Sequence, residues 1–175
     1  MLIAITGTPG TGKSVTAKHL EKALNAEILN IEQIARKHKI LVEYDDRTMS
    51  MVIDEFKISD AIEAEIKKGK TYVVPSHLSH FIMPSLVKLC VVLRCDPLVL
   101  EKRLGKRAYS QKKIGENVMC EFLDACLIEA VEIGHKKHLH EIDTSKKSAG
   151  AVCKEIVNVL NKKKKLEFGK IKWLK

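Results

Sequence analysis

Residues 7–14, GTPGTGKS, place three glycines, a lysine and a hydroxyl within eight positions. The pattern is G-x-x-x-x-G-K-[ST], and its chemistry is the binding of nucleotide phosphates. Gly7, Gly10 and Gly12 let backbone N–H groups approach phosphate oxygens closely. Lys13 is placed to reach the β- and γ-phosphates of ATP, and the Ser14 hydroxyl to bind Mg²⁺. Val15 adds an N–H at the start of the following helix. The motif needs a strand before it and a helix after it, and both are legible: Leu2–Ile5 is a short apolar run, and Ser14–Leu24 carries Val15, Leu20, Ala23 and Leu24 on one side.

A second stretch, Tyr72–His80 (YVVPSHLSH), lies where a P-loop protein keeps an acidic residue at a strand end, and this stretch contains none. His77 and His80 offer two imidazoles but no third ligand beside them, which is weak evidence for a metal.

Elements that must position these residues follow from periodicity. Ile28–Ile31 reads as a second strand, and Ile31, Ile34, Ala35 and Ile40 recur at helical spacing. Residues 42–51 show no clear period. Residues 54–70 read as a helix closed by Gly69, Tyr72–Val74 and Leu89–Leu93 as strands, and Pro97 to about Lys106 as a helix with proline in its first turn,. Residues 116–137 read as one long amphipathic helix, 139–143 as a last strand and 149–163 as a last helix. Strands alternating with helices predict an α/β P-loop fold, a parallel sheet flanked by helices with its ligand at the carboxyl ends of the strands.

At 175 residues, 45% hydrophobic and 30% charged, the chain fits one globular domain, residues 1–175,. No apolar run approaches the ~20 residues needed to cross a bilayer, and no basic segment precedes Leu2–Ile5 as a signal peptide requires. The five cysteines form no CxxC pair, which points to reduced thiols and a cytoplasmic location. The net charge of +9 is concentrated: residues 162–175 hold seven lysines against Glu167. This basic tail is either a solvated helix end or a contact for nucleic acid or an acidic partner, with Trp173 favouring a docked or stacking segment.

Together GTPGTGKS, NIEQIARKHKIL, LRCDPLVLEKRLGKRAYSQKKIGENVMCE and GKIKWLK resemble the adenylate kinase isoenzyme six family. Its members are small nucleoside monophosphate kinases and ATPases of archaea and eukaryotes that assist maturation of the small ribosomal subunit. The resemblance runs over nearly the whole chain, with a short gap near 41–51. It implies ATP and Mg²⁺ as cofactors, AMP or a related monophosphate as acceptor, and a small-subunit ribosomal protein or rRNA as partner. It also implies a monophosphate-binding arm at 30–53 and a short lid at 106–116. By the same resemblance Asn30 and Arg36 bind AMP, Arg103 and Arg107 contact ATP phosphates, Lys146 lies in the base-side loop, and His77 positions the attacking water or the γ-phosphate.

Aligned on His77, the family's acid falls on Pro75. Proline cannot ligate a metal, and Ser76 is a poor substitute. Either the ion is held by ATP oxygens, Ser14 and water with slower chemistry, or another carboxylate, Asp54 or Asp96, substitutes. Three functions stay open: an adenylate kinase with weakened turnover, a nucleotide-dependent assembly factor with vestigial catalysis, and a kinase for another acceptor such as cytidylate or shikimate. Under the first account of the missing acid, Pro75→Asp raises turnover in a steady-state assay. No gain assigns the role to a different carboxylate.

Overall fold

The computed structural model describes residues 1–45, 50–107 and 109–173. Part of the expected arm (46–49) and one lid residue (108) therefore lie outside the described residues. Leu2–Thr6 (β1) is buried along its whole length, as its apolar run dictates,. Beside it lie Tyr72–Pro75 (β5) and Leu89–Arg94 (β6), flanked in turn by Glu27–Ile28 (β2) and Leu139–Asp143 (β7). The five form one parallel sheet in the order β2-β5-β1-β6-β7.

Alternation along the strands divides the core in two. Ile3, Ile5, Val73, Val91 and Leu93 pack with Ala17 and Leu20 of Lys13–Leu24 (α1) and with Val152 and Ile156 of Ala149–Leu160 (α7). On the opposite face Leu2, Ala4, Tyr72, Val74, Cys90 and Val92 meet Ile31–Lys37 (α2), Ile58–Glu65 (α3) and Ala125–Ile133 (α6). Pro97–Gly105 (α4) and Gln111–Phe122 (α5) share a smaller cluster of Cys95, Leu100, Leu104 and Ile114.

Four elements differ from the sequence reading. Ile31 belongs to α2, not to a strand, because Asn30 accepts from the Gln33 N–H at 3.2 Å and starts the helix,. Over the stretch 42–51 that shows no period, Leu41–Asp45 (β3) and Ser50–Ile53 (β4) pair antiparallel with a register shift near Leu41. The helix expected over 54–70 is a 3₁₀ turn, Glu55–Lys57, leading into α3, and Phe56 is 89% exposed rather than part of an apolar face. The long helix over 116–137 is broken: Asp124 adopts φ 58° and separates α5 from α6.

That break is braced electrostatically. Arg94, at the end of β6 and 2% exposed, donates to Glu121 Oε1 at 2.7 Å, to Glu141 Oε1 at 2.6 Å and to Asp124 Oδ1. It also donates to the Glu121 carbonyl at 3.1 Å, an α5 terminus that a continuous helix would keep for itself,. One cation among three carboxylates leaves excess negative charge, and neutral donors meet it. Glu121 accepts from Thr8 Oγ1 (2.7 Å), the Cys95 N–H (3.1 Å) and Trp173 Nε1 (3.1 Å). Glu141 Oε2 accepts from the Gly169 N–H at 2.8 Å.

The C-terminal segment is thereby docked. The Glu141 N–H donates to the Glu167 carbonyl at 2.8 Å along β7, and the Trp173 ring lies 5.6 Å from the Arg94 guanidinium carbon,. Glu155 of α7 adds a tie, accepting from Lys147 and Lys164 and facing His140 at 3.2 Å.

Arg94→Met strands two buried carboxylates, Glu121 and Glu141, and the partly exposed Asp124, and is expected to lower unfolding free energy by about 3–5 kcal/mol, measured by urea titration; a change within error removes the network from the stability of the fold. Burial opposes ionisation of Glu155, but hydrogen bonds from Lys147, Lys164 and His140 outweigh it and bring its pKa from 4.5 to about 2. Its stabilising share is therefore complete above pH 4.5 and lost as pH falls through about 2,. The difference in urea midpoint between the native chain and Glu155→Gln should be open at pH 7 and closed near pH 2. A constant difference contradicts the ion-pair account.

Candidate functional site

The loop from Gly7 to Gly12 leaves the carboxyl end of the central strand and enters α1. Gly7 (φ 130°), Gly10 (φ 96°) and Gly12 (φ 99°) occupy backbone conformations that side chains resist,. Gly7 is required twice, since a Cβ there would stand 2.3 Å from the Leu93 carbonyl oxygen. Above Gly12 the space is open, and no side chain caps the first turn of α1. Its N–H groups and the positive end of its dipole therefore face outward, the condition for an anion site.

Lys13 lies back across the loop, donating to the carbonyls of Gly7 (2.5 Å) and Thr8 (3.0 Å). Burial lowers its pKa to about 8, with Arg107 acting in the same direction and Cys126 and Glu121 opposing. The ammonium stays protonated at neutral pH and is held over weak acceptors that a phosphate oxygen can replace. The Thr11 N–H and hydroxyl both turn inward to the Thr8 carbonyl, at 3.3 and 2.9 Å, and stiffen the loop.

His77 follows β5. The residue is solvent-exposed, yet the surrounding protein, ahead of repulsion from Lys13 and Lys113, lowers its pKa from 6.5 to about 4. It is a neutral imidazole at pH 7. Three basic groups from separate segments thus bear on the loop: Arg107, just past α4, acts on Lys13 of α1, and Lys13 and Lys113 of α5 both act on His77.

The other expected residues are distributed around this centre. Arg103 donates to the carbonyls of Thr144 (2.8 Å) and Ser145 (3.3 Å), bracing the loop that carries the exposed Lys146. Thr144 in turn donates its hydroxyl to the Thr11 carbonyl and its N–H to the Arg94 carbonyl, which joins that loop to the phosphate loop. Asn30 caps α2 and Arg36 lies exposed on the same helix.

Pro75 pairs with Ile5 in the β1–β5 register, so it occupies the strand end next to the phosphate loop. Asp54 and Asp96 both cap helical turns, accepting from Phe56 N–H and from Leu98 and Val99 N–H groups. For a magnesium ion the chain supplies the exposed Ser14 hydroxyl and no carboxylate at 75. This donor set fits an ion carried in on nucleotide phosphates, which keeps most of its coordination to phosphate and water.

Sequence reasoning missed Glu121, Thr8 and Lys113. Glu121 is buried and receives the Thr8 hydroxyl, so it anchors the loop from behind. Its one sequence signal was the CE pair within the family-like stretch 93–121, since nothing local marks a helix glutamate as buried.

Comparison with known proteins agrees with this geometry. The family described as "AAA domain" matches residues 3–124. A Methanocaldococcus jannaschii protein named "Putative adenylate kinase" is 36% identical over 173 residues, 99% of this chain and 93% of that one. A Pyrococcus abyssi protein of the same name is 39% identical over 173 residues, 99% of this chain and 91% of its own length. Among solved structures, shikimate kinase from Acinetobacter baumannii in complex with shikimate has a TM-score of 0.61 at 16% identity, covering 94% of each chain. Deoxyadenosine kinase from M. mycoides with bound dATP has a TM-score of 0.56 at 18% identity, covering 92% of this chain and 99% of its own. These two share the fold. Identity at this level over nearly the full length, joined to an intact phosphate loop at the end of the central strand, shows that the chain belongs to the adenylate kinase-type family of P-loop nucleotide kinases.

Proposed function

We propose that the chain transfers the γ-phosphoryl group of ATP to AMP, forming two ADP, with slow transfer to water as a side activity. The observation that carries this reading is the grouping of Lys13, Arg107, Lys113 and the neutral His77 around the uncapped start of α1. Phosphoryl transfer needs little covalent help from the protein; it needs both anions neutralised and held in line.

An oxygen of the AMP phosphate bonds to the γ-phosphorus as the bridging β–γ P–O bond breaks, and ADP leaves with that electron pair. Lys13 and the loop N–H groups hold the β- and γ-phosphates. Arg107 and Lys113 close over the γ-phosphate from the lid side and exclude water. Arg103 acts through the Thr144–Ser145 carbonyls to set the base-side loop and Lys146, and is a positioning residue. His77, uncharged, orients the γ-phosphate without repelling Lys13. Arg36 holds the acceptor phosphate from α2, with Asn30 fixing the start of that helix. Mg²⁺, when bound with ATP, supplies charge neutralisation at the phosphates. Pro75 removes the carboxylate that would steady its water shell, and turnover is correspondingly reduced.

The test is ADP formation from ATP·Mg²⁺ by purified protein with and without AMP. AMP is expected to accelerate ADP production, and Arg36→Ala to raise the KM for AMP by about tenfold or more while leaving the KM for ATP unchanged. Tight ATP binding with equal, low turnover under both conditions would replace this reading with a nucleotide-dependent binding factor. Acceleration by a different acceptor in a panel would instead change the substrate.

A further inference from the structure

Behind the phosphate loop, three side chains from two elements converge. His80 belongs to the 3₁₀ turn Ser79–Phe81, while Cys126 and Glu129 are three apart on α6 and so share a face,. A ring nitrogen of His80, the Cys126 sulfur and a Glu129 carboxylate oxygen all lie within 4.8 Å of one another. His80 is 1% exposed, whereas the Glu129 side chain is 44% exposed and leaves the cluster open to solvent on one side.

Thr6 Oγ1 lies 2.6 Å from His80 Nδ1 and 3.3 Å from the His77 carbonyl; donating to that carbonyl, it can accept from His80 Nδ1–H. Nε2 then carries a bare lone pair. It is buried without a hydrogen-bond partner, yet it stands 3.0 Å from the Glu129 carboxylate. A buried nitrogen lone pair and a carboxylate oxygen at this separation, with no aligned hydrogen bond between them, offer two donors to one positive ion. A thiol at the same point selects a soft or borderline ion over Mg²⁺.

We propose that His80, Cys126 and Glu129 bind one zinc-like divalent transition-metal ion, with solvent in the remaining position. The N, S and O donors are those of zinc, and a ligating histidine whose other N–H is held by a neighbour is the usual support. Here Thr6 is that neighbour. Binding displaces the Cys126 thiol proton to solvent. The ion ties the 3₁₀ turn to α6 three residues beyond His77, and so fixes the segment that leads out of β5. This site is separate from the nucleotide-borne magnesium and does not depend on the phosphotransfer reading.

Co²⁺ alone is the probe, added to chelator-stripped full-length protein without nucleotide. One equivalent is expected to produce a thiolate-to-cobalt charge-transfer absorption that Zn²⁺ displaces. Cys126→Ser should abolish the band, and Glu129→Gln, at a half-exposed carboxylate, should weaken Co²⁺ binding by about tenfold or more. A native chain without the band, or a band that survives Cys126→Ser, overturns the site. If Cys126→Ser does not fold, Glu129→Gln decides: unchanged affinity overturns it. ADP formation is measured separately, so failure here leaves the phosphotransfer reading standing.

Discussion

The Arg94 guanidinium is the point through which distant parts of this chain are held in register. It takes charge from α5, from the α5–α6 corner and from β7, and each of those partners holds something else. Glu121 grips Thr8 of the phosphate loop, Asp124 shapes the corner, and Glu141 receives the C-terminal segment. A buried ion network of this kind adds little over apolar packing of the same volume, yet losing one member strands the others. Its effect is therefore geometric: the sheet, α5 with its corner to α6, and the C-terminal segment can meet in one arrangement with every charge answered.

The phosphate loop inherits that order. It is fixed below by the close approach of Gly7 to the Leu93 carbonyl, behind by Glu121, and laterally by Thr144. What remains adjustable is on the open side, where Lys13 rests on loop carbonyls and Arg107 and Lys113 come from the α4–α5 region. A rigid cradle with adjustable cations above it suits a site that must admit a polyanion and then close on it.

Local signals were readable in the sequence and non-local ones were not. The phosphate loop needs a fixed spacing of residue types, and the central strands are continuous apolar runs, so both could be placed from the chain alone. The pairing of β3 with β4 was hidden because VEYDDRTMSM does not alternate. The interruption at Asp124 was hidden for the opposite reason: helical periodicity continues through it, and the residue that braces the corner, Arg94, is thirty positions away. The roles of Glu121 and Lys113 share this origin, since a helix charge reads as solvated until the packing partner is known. Trp173 among lysines did hint that the tail is seated, though not on what.

The segment after α7 also settles a problem that open sheets face. A strand at the margin of a sheet offers unpaired backbone groups to any other extended chain, and such margins seed aggregation. On one side the sheet ends in β2, which is two residues long. On the other, β7 has its Glu141 N–H occupied by the Glu167 carbonyl, while the Glu141 carboxylate gathers the Gly169 N–H of the same segment. The segment after α7 thus acts as a selvedge at the middle of β7, occupying a backbone donor that another extended chain would otherwise take.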